Sequence, residues 1–185
     1  MTLLQNRRSI PPALMNGNPV EDDVLLRVLE AARWAPSHRG SEPWFFQVFR
    51  GEARLKLCQA MVTAYCTENG AQALEKKIAK LQQNTQLAGA ILSVEMRIKQ
   101  PPRNPESEDI LAMGAAVQNL HLMAHALGLA GYWTTPSWVD QASFRHFLGL
   151  ETGMRSFGLF YLGYSQRMDL AGSRDALSEK WRSFT

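Results

Sequence analysis

The chain carries two cysteines in 185 residues. Cys58 and Cys66 lie in a helical pattern, and neither a disulfide framework nor a zinc site can be built from that pair, so two buried thiols in a reducing compartment are expected. Long apolar runs are also missing. No stretch approaches the roughly 20 residues that cross a bilayer, and the opening Met-Thr-Leu-Leu-Gln-Asn-Arg-Arg lacks the apolar centre of a signal peptide. A soluble, cytoplasmic protein with no membrane partner is the expectation. Neither G-x-G-x-x-G nor a P-loop lysine motif occurs, which excludes a dinucleotide-binding Rossmann domain as the main reading. Blocks of like charge, internal repeats and low-complexity segments are absent too. Lys plus Arg number 20 against 17 for Asp plus Glu, a formal charge of +3. That mild basic bias suits a phosphate-bearing ligand and does not by itself argue for nucleic acid.

What is present is an ordinary globular composition, 45% hydrophobic and 20% charged, with one domain over residues 1–185 as the leading count. Asn18-Pro19-Val20-Glu21 is a helix-start signal, and Val24, Leu25, Val28, Leu29 and Ala32 form the apolar face behind it; Pro36 ends the helix. Trp44 to Arg50 is aromatic and β-branched enough for a strand. Ala53 to about Thr85 is helical with a break at Asn69-Gly70, and Ala90 to Ile98 is a second strand. Gln100-Pro101-Pro102-Arg103-Asn104-Pro105 is a loop or linker. A long helix is predicted from about Ser107 to Leu127, with Gly128 at its C-terminal cap. Tyr132-Trp133-Thr134 is a short strand, Asp140 caps a short helix through Phe147, and Met154 to Tyr164 is the best strand. A polar, extended tail follows. The mixture implies a layered sheet with helices on its faces.

Two segments could carry chemistry. Arg7-Arg8-Ser9 sets two guanidinium groups and a hydroxyl ahead of a turn forced by Pro11-Pro12, and guanidinium forks match phosphate oxygens. Taken alone, two exposed arginines are more often solvated surface. Ala35-Pro36-Ser37-His38-Arg39-Gly40-Ser41-Glu42-Pro43-Trp44 is a rigid polar loop of the kind that holds ligands, with His38 able to donate to a ligand carbonyl or hydroxyl. His121 and His125 have a chelating spacing, but no third ligand is apparent, and a packed or interface pair is the reading favoured. Nothing orients His146 as a base for Ser143. Core packing accounts for most of the five tryptophans better than nucleic-acid stacking does, since no basic groove interleaves with them.

In order, Arg-Arg-Ser, a helix ending in Ala-Pro-Ser, and Glu-Pro-Trp leading into an aromatic strand resemble the nitroreductase family. His125-Ala126-Leu127-Gly128, Gly131-Tyr132-Trp133 and Phe160-Tyr161-Leu162-Gly163 follow in family order, so the resemblance covers nearly the whole chain. Within the family the chain is most similar to the small subgroup with a histidine after Ala-Pro-x. The resemblance implies an α+β fold, a three-layer α-β-α sandwich with a mostly antiparallel central sheet and helices on both faces. It further implies a homodimer with FMN at two sites built from both subunits. Arg7, Arg8 and Ser9 would hold the phosphate and ribityl end, Trp34 and His38 would line the flavin, Trp133, Thr134 and Thr135 would lie along the ring or ribityl chain, and Arg174 would reach the phosphate. Met123, Ala124, His125, Ala126, Leu127 and Gly128 fall near the nicotinamide nucleotide.

The chain departs from the family pattern in having Ile10-Pro11-Pro12 where many relatives carry a basic residue, and Gly40 and Glu42 where an Asn and a Gln are common. Positive charge at flavin N1 and O2 would then come from elsewhere, with Arg39 a candidate. The implied activity is reduction of electron-poor acceptors, nitroaromatics or quinones, by NAD(P)H through a ping-pong mechanism, with no side chain required as acid or base. The alternative is a non-catalytic flavin- or ligand-binding protein on the same fold.

Overall fold

The computed structural model describes residues 2–99, 101–102 and 104–184. Six helices, α1 (Thr2–Asn6), α2 (Asp22–Arg33), α3 (Glu52–Asn69), α4 (Glu75–Leu87), α5 (Glu106–Ala126) and α6 (Ala142–Phe147), surround four strands, β1 (Trp44–Phe49), β2 (Ala90–Arg97), β3 (Ala130–Thr134) and β4 (Met154–Gly163). The strands form one sheet in the order β1-β2-β4-β3, and every pairing between them is antiparallel. Alternation along β2 and β4 builds two cores. Leu92, Val94, Met96, Phe160 and Leu162 pack with residues of α2 and α5 on one face. Ile91, Leu159 and Tyr161 pack with residues of α3 and α6 on the other. The result is the three-layer α-β-α arrangement.

Local chemistry accounts for most element ends. Asp22 and Asp23 stand in the first turn of α2 and Glu106, Glu108 and Asp109 in that of α5, where negative charge favours the positive end of the helix dipole. Gly128, at φ +77, lets the chain leave α5, and Leu129 N–H then donates to Ala124 O at 2.8 Å. Two starts differ from expectation. Helix α2 begins at Asp22, with Glu21 flanking it and no side-chain cap. Buried Val20 draws Asn18–Val20 against Gly89, where an added Cβ would lie 2.3 Å from Asn18 O. Asp140 likewise does not cap α6. Trp138 and Val139 are buried, the chain folds into a 3-10 turn over Ser137–Asp140, and α6 starts after Gln141.

The proline-rich connection before α5 is tied back rather than free, since Asn104 Nδ2 donates to His38 O at 2.8 Å; Gln100 and Arg103 of that loop lie outside the described residues. The tail is irregular apart from a 3-10 turn at Leu177–Glu179. Cys58 is buried and Cys66 half-buried, both free. Among the described residues no helix is long and apolar enough to cross a membrane.

Among the described residues, one carboxylate-bearing strand residue is fully buried. Glu95 on β2 is 0% exposed, and both its carboxyl oxygens lack a hydrogen-bond partner among the described residues. It faces Ser156 across a β-bulge in β4, where Gly158 has φ +89 and a Cβ would lie 2.1 Å from Thr134 O. Burial pushes the Glu95 carboxyl up to about 8. A carboxyl whose native pKa lies above its unfolded value stabilises the fold fully below about pH 4.5, and that contribution is lost as pH rises toward 8. Glu95→Gln therefore raises the unfolding free energy at pH 7 by about 2 to 4 kcal/mol. Urea denaturation should show the gain growing from pH 5 to pH 8, and a gain of the same size at both ends would show that the carboxyl does not titrate in this way.

Candidate functional site

The N-terminal segment reaches the sheet through a single point. Ser9 pairs with Gly131 in a parallel bridge at the free edge of β3, and Ile10 N–H donates to Gly131 O at 3.0 Å. Ile10 is 1% exposed, and Pro12, itself buried, opens a 3-10 turn over Pro12–Leu14. Ile10 and Pro12 are thus occupied by packing, which leaves no place for a basic side chain at either. Arg7, Arg8 and Ser9 are thereby fixed alongside Gly131, with Trp133, Thr134 and Thr135 continuing along the same edge.

The two arginines of this segment differ in role. Arg8 is consumed by carbonyls, its Nε donating to Leu170 O at 3.0 Å and its Nη1 to Arg7 O at 2.8 Å and to Gln5 O. It clamps α1 and the tail together. Gly172 is pressed so closely on it that a Cβ would lie 2.4 Å from Arg8 Nε. Arg7 is half-buried, and its Nη1 lies 3.3 Å from Nδ1 of His121 on α5. Burial lowers the Arg7 pKa, and the charges of Arg174 and Arg8 lower it further. Three guanidinium groups thus share one electrostatic field, and among the described residues none of them forms an ion pair with a carboxylate. Arg174 itself is exposed, donating to Ser173 O at 2.6 Å. A convergent cationic set without a carboxylate counterion suits a phosphate group.

Sequence reasoning did not find His121 as part of this cluster. Its ring is buried and stands edge-on to Phe160 at 5.1 Å and 85°. Burial, and then the Arg7 charge, hold its pKa down to about 4. His125, one turn on, is half-buried, with its pKa lowered by burial and then by Arg7 and Arg8. No group of three metal-ligating side chains occurs among the described residues. Around it, Ala124 is fully buried in the core. Leu127 and Met123 are half-buried, and Ala126 and Gly128 are exposed at the end of α5.

Trp34 and His38 make their contacts on α2 and α5 outside the arginine cluster, Trp34 beside Met123 and His38 at the far end of α5. Trp34 is 74% exposed, its indole N–H donating to Glu30 at 2.8 Å, and it lines a shallow groove with Met123, Leu26 and Ala31. His38 Nδ1 lies 3.0 Å from a Glu108 carboxylate oxygen in the first turn of α5, with Arg39 beside it at φ +50. Glu108 and His121 are roughly 20 Å apart along the helix axis at about 1.5 Å per residue. Within one chain, then, neither His38 nor Arg39 is brought to the Arg7 cluster.

Beyond Thr134 a cavity of about 590 Å³ opens between the α3–α4 hairpin and β3, with Tyr65, Lys77, Lys80, Asn84 and Trp138 among its walls. These residues carried no local motif, because the hairpin brings them together only in three dimensions.

The acid limb of stability follows from His121. A histidine whose native pKa is depressed stabilises the fold above its unfolded value near 6.5 and loses that contribution as pH falls through 4. The native chain is expected to lose about 2 to 3 kcal/mol between pH 6.5 and pH 4 from this residue. His121→Gln should flatten that limb in thermal melts, and an unchanged limb would remove His121 as its source.

A family model described as the nitroreductase family matches residues 4–164. The Escherichia coli (strain K12) protein YdjA, assigned by name to the NAD(P)H nitroreductases, is 28% identical over 169 residues, covering 90% of this chain and 88% of YdjA. Among solved structures, a nitroreductase-like protein of Bacillus cereus superposes with a TM-score of 0.86 at 28% identity, covering 99% of this chain and 94% of that one. A Desulfovibrio desulfuricans structure described as a nitroreductase in complex with FMN superposes at 0.77 with 25% identity, covering 100% and 95%.

Proposed function

The chain belongs to the nitroreductase family, and from that premise we propose that it is an FMN-dependent oxidoreductase passing reducing equivalents from NAD(P)H to electron-poor acceptors such as nitroaromatics or quinones. The observation that carries the reading is the uncompensated trio Arg7, Arg8 and Arg174 at the β3 edge. When bound, FMN supplies the two-electron chemistry; the protein supplies grip, orientation and charge. Arg7 and Arg174 hold the phosphate, Arg8 fixes the segment and the tail that present them, and Ser9 offers a hydroxyl. Trp133, Thr134 and Thr135 flank the flavin along the edge. The aromatic walls and two lysines of the neighbouring cavity serve the acceptor. His125 and the end of α5 border the nucleotide. No side chain is needed as acid or base, and one site used in turn by both substrates implies ping-pong kinetics.

Trp34 and His38 join this site from a second copy of the chain. The roughly 20 Å between the His38 loop and the Arg7 cluster supports that assignment, and so do Leu26 and Leu111, exposed on α2 and α5 at 64% and 74%. Burial of such side chains favours association at ~25 cal/mol per Å².

Arg7→Ala is expected to lose FMN on desalting, a charge-assisted contact worth about 1.5 to 3 kcal/mol. Purified variant that keeps one yellow flavin per chain would count against the phosphate assignment. In the native holoprotein, anaerobic NADPH or NADH should bleach the flavin and a quinone should restore it; a flavin that stays oxidised would point to the non-catalytic alternative. Leu111→Glu should shift sedimentation from dimer to monomer and weaken FMN binding in parallel. Tight FMN binding by a monomeric variant would refute the shared site.

A further inference from the structure

Arg7 owes its direction to His121. A guanidinium has only donors, so the ring atom 3.3 Å from it must accept, which requires an unprotonated Nδ1 with the proton on Nε2. The ring cannot turn away. His121 is 6% exposed, its edge meets Phe160 at 5.1 Å, and a Cβ on Gly131 would lie 2.6 Å from Phe160 and 2.7 Å from His121. The missing side chain of Gly131 is what admits the imidazole to the strand edge where the N-terminal segment docks. The charged groups that bear on the ring are Arg7 from the N-terminal segment, with the charges of Arg174 and Arg8 acting on Arg7 behind it, and His125 from its own helix; Arg8 meets the ring through its backbone. β3 and β4 contribute only Gly131 and Phe160. Burial first, and then the positive charges of Arg7 and His125, keep the imidazole neutral against weaker opposing contacts with the backbone of Arg8 and Gly131.

We propose that His121 is a positioning residue for the cofactor phosphate: as a neutral acceptor it holds one N–H of Arg7 and leaves the remaining donors of that guanidinium aimed at the anion. This rests on the reading of Arg7 as a phosphate ligand. The role needs an acceptor of the right reach, not a histidine as such. Glutamine can supply a carbonyl oxygen, whereas leucine fills similar space and supplies nothing.

The test compares FMN with riboflavin, which lacks only the phosphate, by fluorescence titration of the full chain after flavin removal. His121→Leu is expected to cut the preference for FMN over riboflavin by about 10-fold through weaker FMN binding alone. His121→Gln should keep most of the native preference. In an Arg7→Ala background the leucine change should have no further effect on the preference. A native preference in His121→Leu overturns the proposal, as does equal weakening of both flavins, which would mark a purely structural role. A native chain that binds both flavins equally would instead overturn the phosphate reading on which the proposal stands.

Discussion

The backbone bridge between Ser9 and Gly131 is the constraint on which the site depends. β3 is a five-residue edge strand, and without the N-terminal segment its outer side would offer unpaired backbone groups. One parallel contact satisfies Gly131 O and sets Arg7 over α5, Arg8 over the tail and Ser9 at the edge. The tail then returns to the same place, where the Arg8 guanidinium donates to Leu170 O and lies against the bare Gly172. Residues from the two ends of the chain thus meet around charge that no carboxylate in the described chain neutralises.

Much of the fold could be read from the sequence, because helices and strands here are long, periodic and punctuated by Gly and Pro. The long helix ending at Gly128, the break at Asn69-Gly70 and the aromatic strand after Pro43 all depend on local pattern, and the structure agrees within a residue or two. Helix α1 escaped notice since five residues carry too little periodicity, and it is held by Arg8 rather than by its own propensity. The starts at Asn18 and Asp140 failed for a different reason. Val20, Trp138 and Val139 gain more from burial than the backbone gains from a cap.

The candidate site was legible only as far as its motif. Arg7-Arg8-Ser9 marks itself by charge, but the separate duties of Arg7 and Arg8 depend on partners more than 100 residues away in sequence. His121 looked like an interior helical histidine and is one; its distinction is the glycine opposite. Glu95 falls within the strand expected from Ala90 to Ile98, and its full burial is visible only once β4 bulges beside it. These two groups pull stability in opposite senses. Protonation suits the buried carboxyl and charging harms the buried imidazole, so the pair confines maximal stability to mildly acidic solution, between the fall of one contribution and the rise of the other.

Helix α5 acts as a spacer of fixed length between the His38 loop and the Arg7 cluster. If each flavin is gripped at both ends of such spacers from opposing chains, flavin loading and subunit association form one thermodynamic cycle, and each must strengthen the other by the same factor. Dilution then becomes a means of discharging the cofactor, and a cell short of flavin holds a larger share of the protein as separate chains.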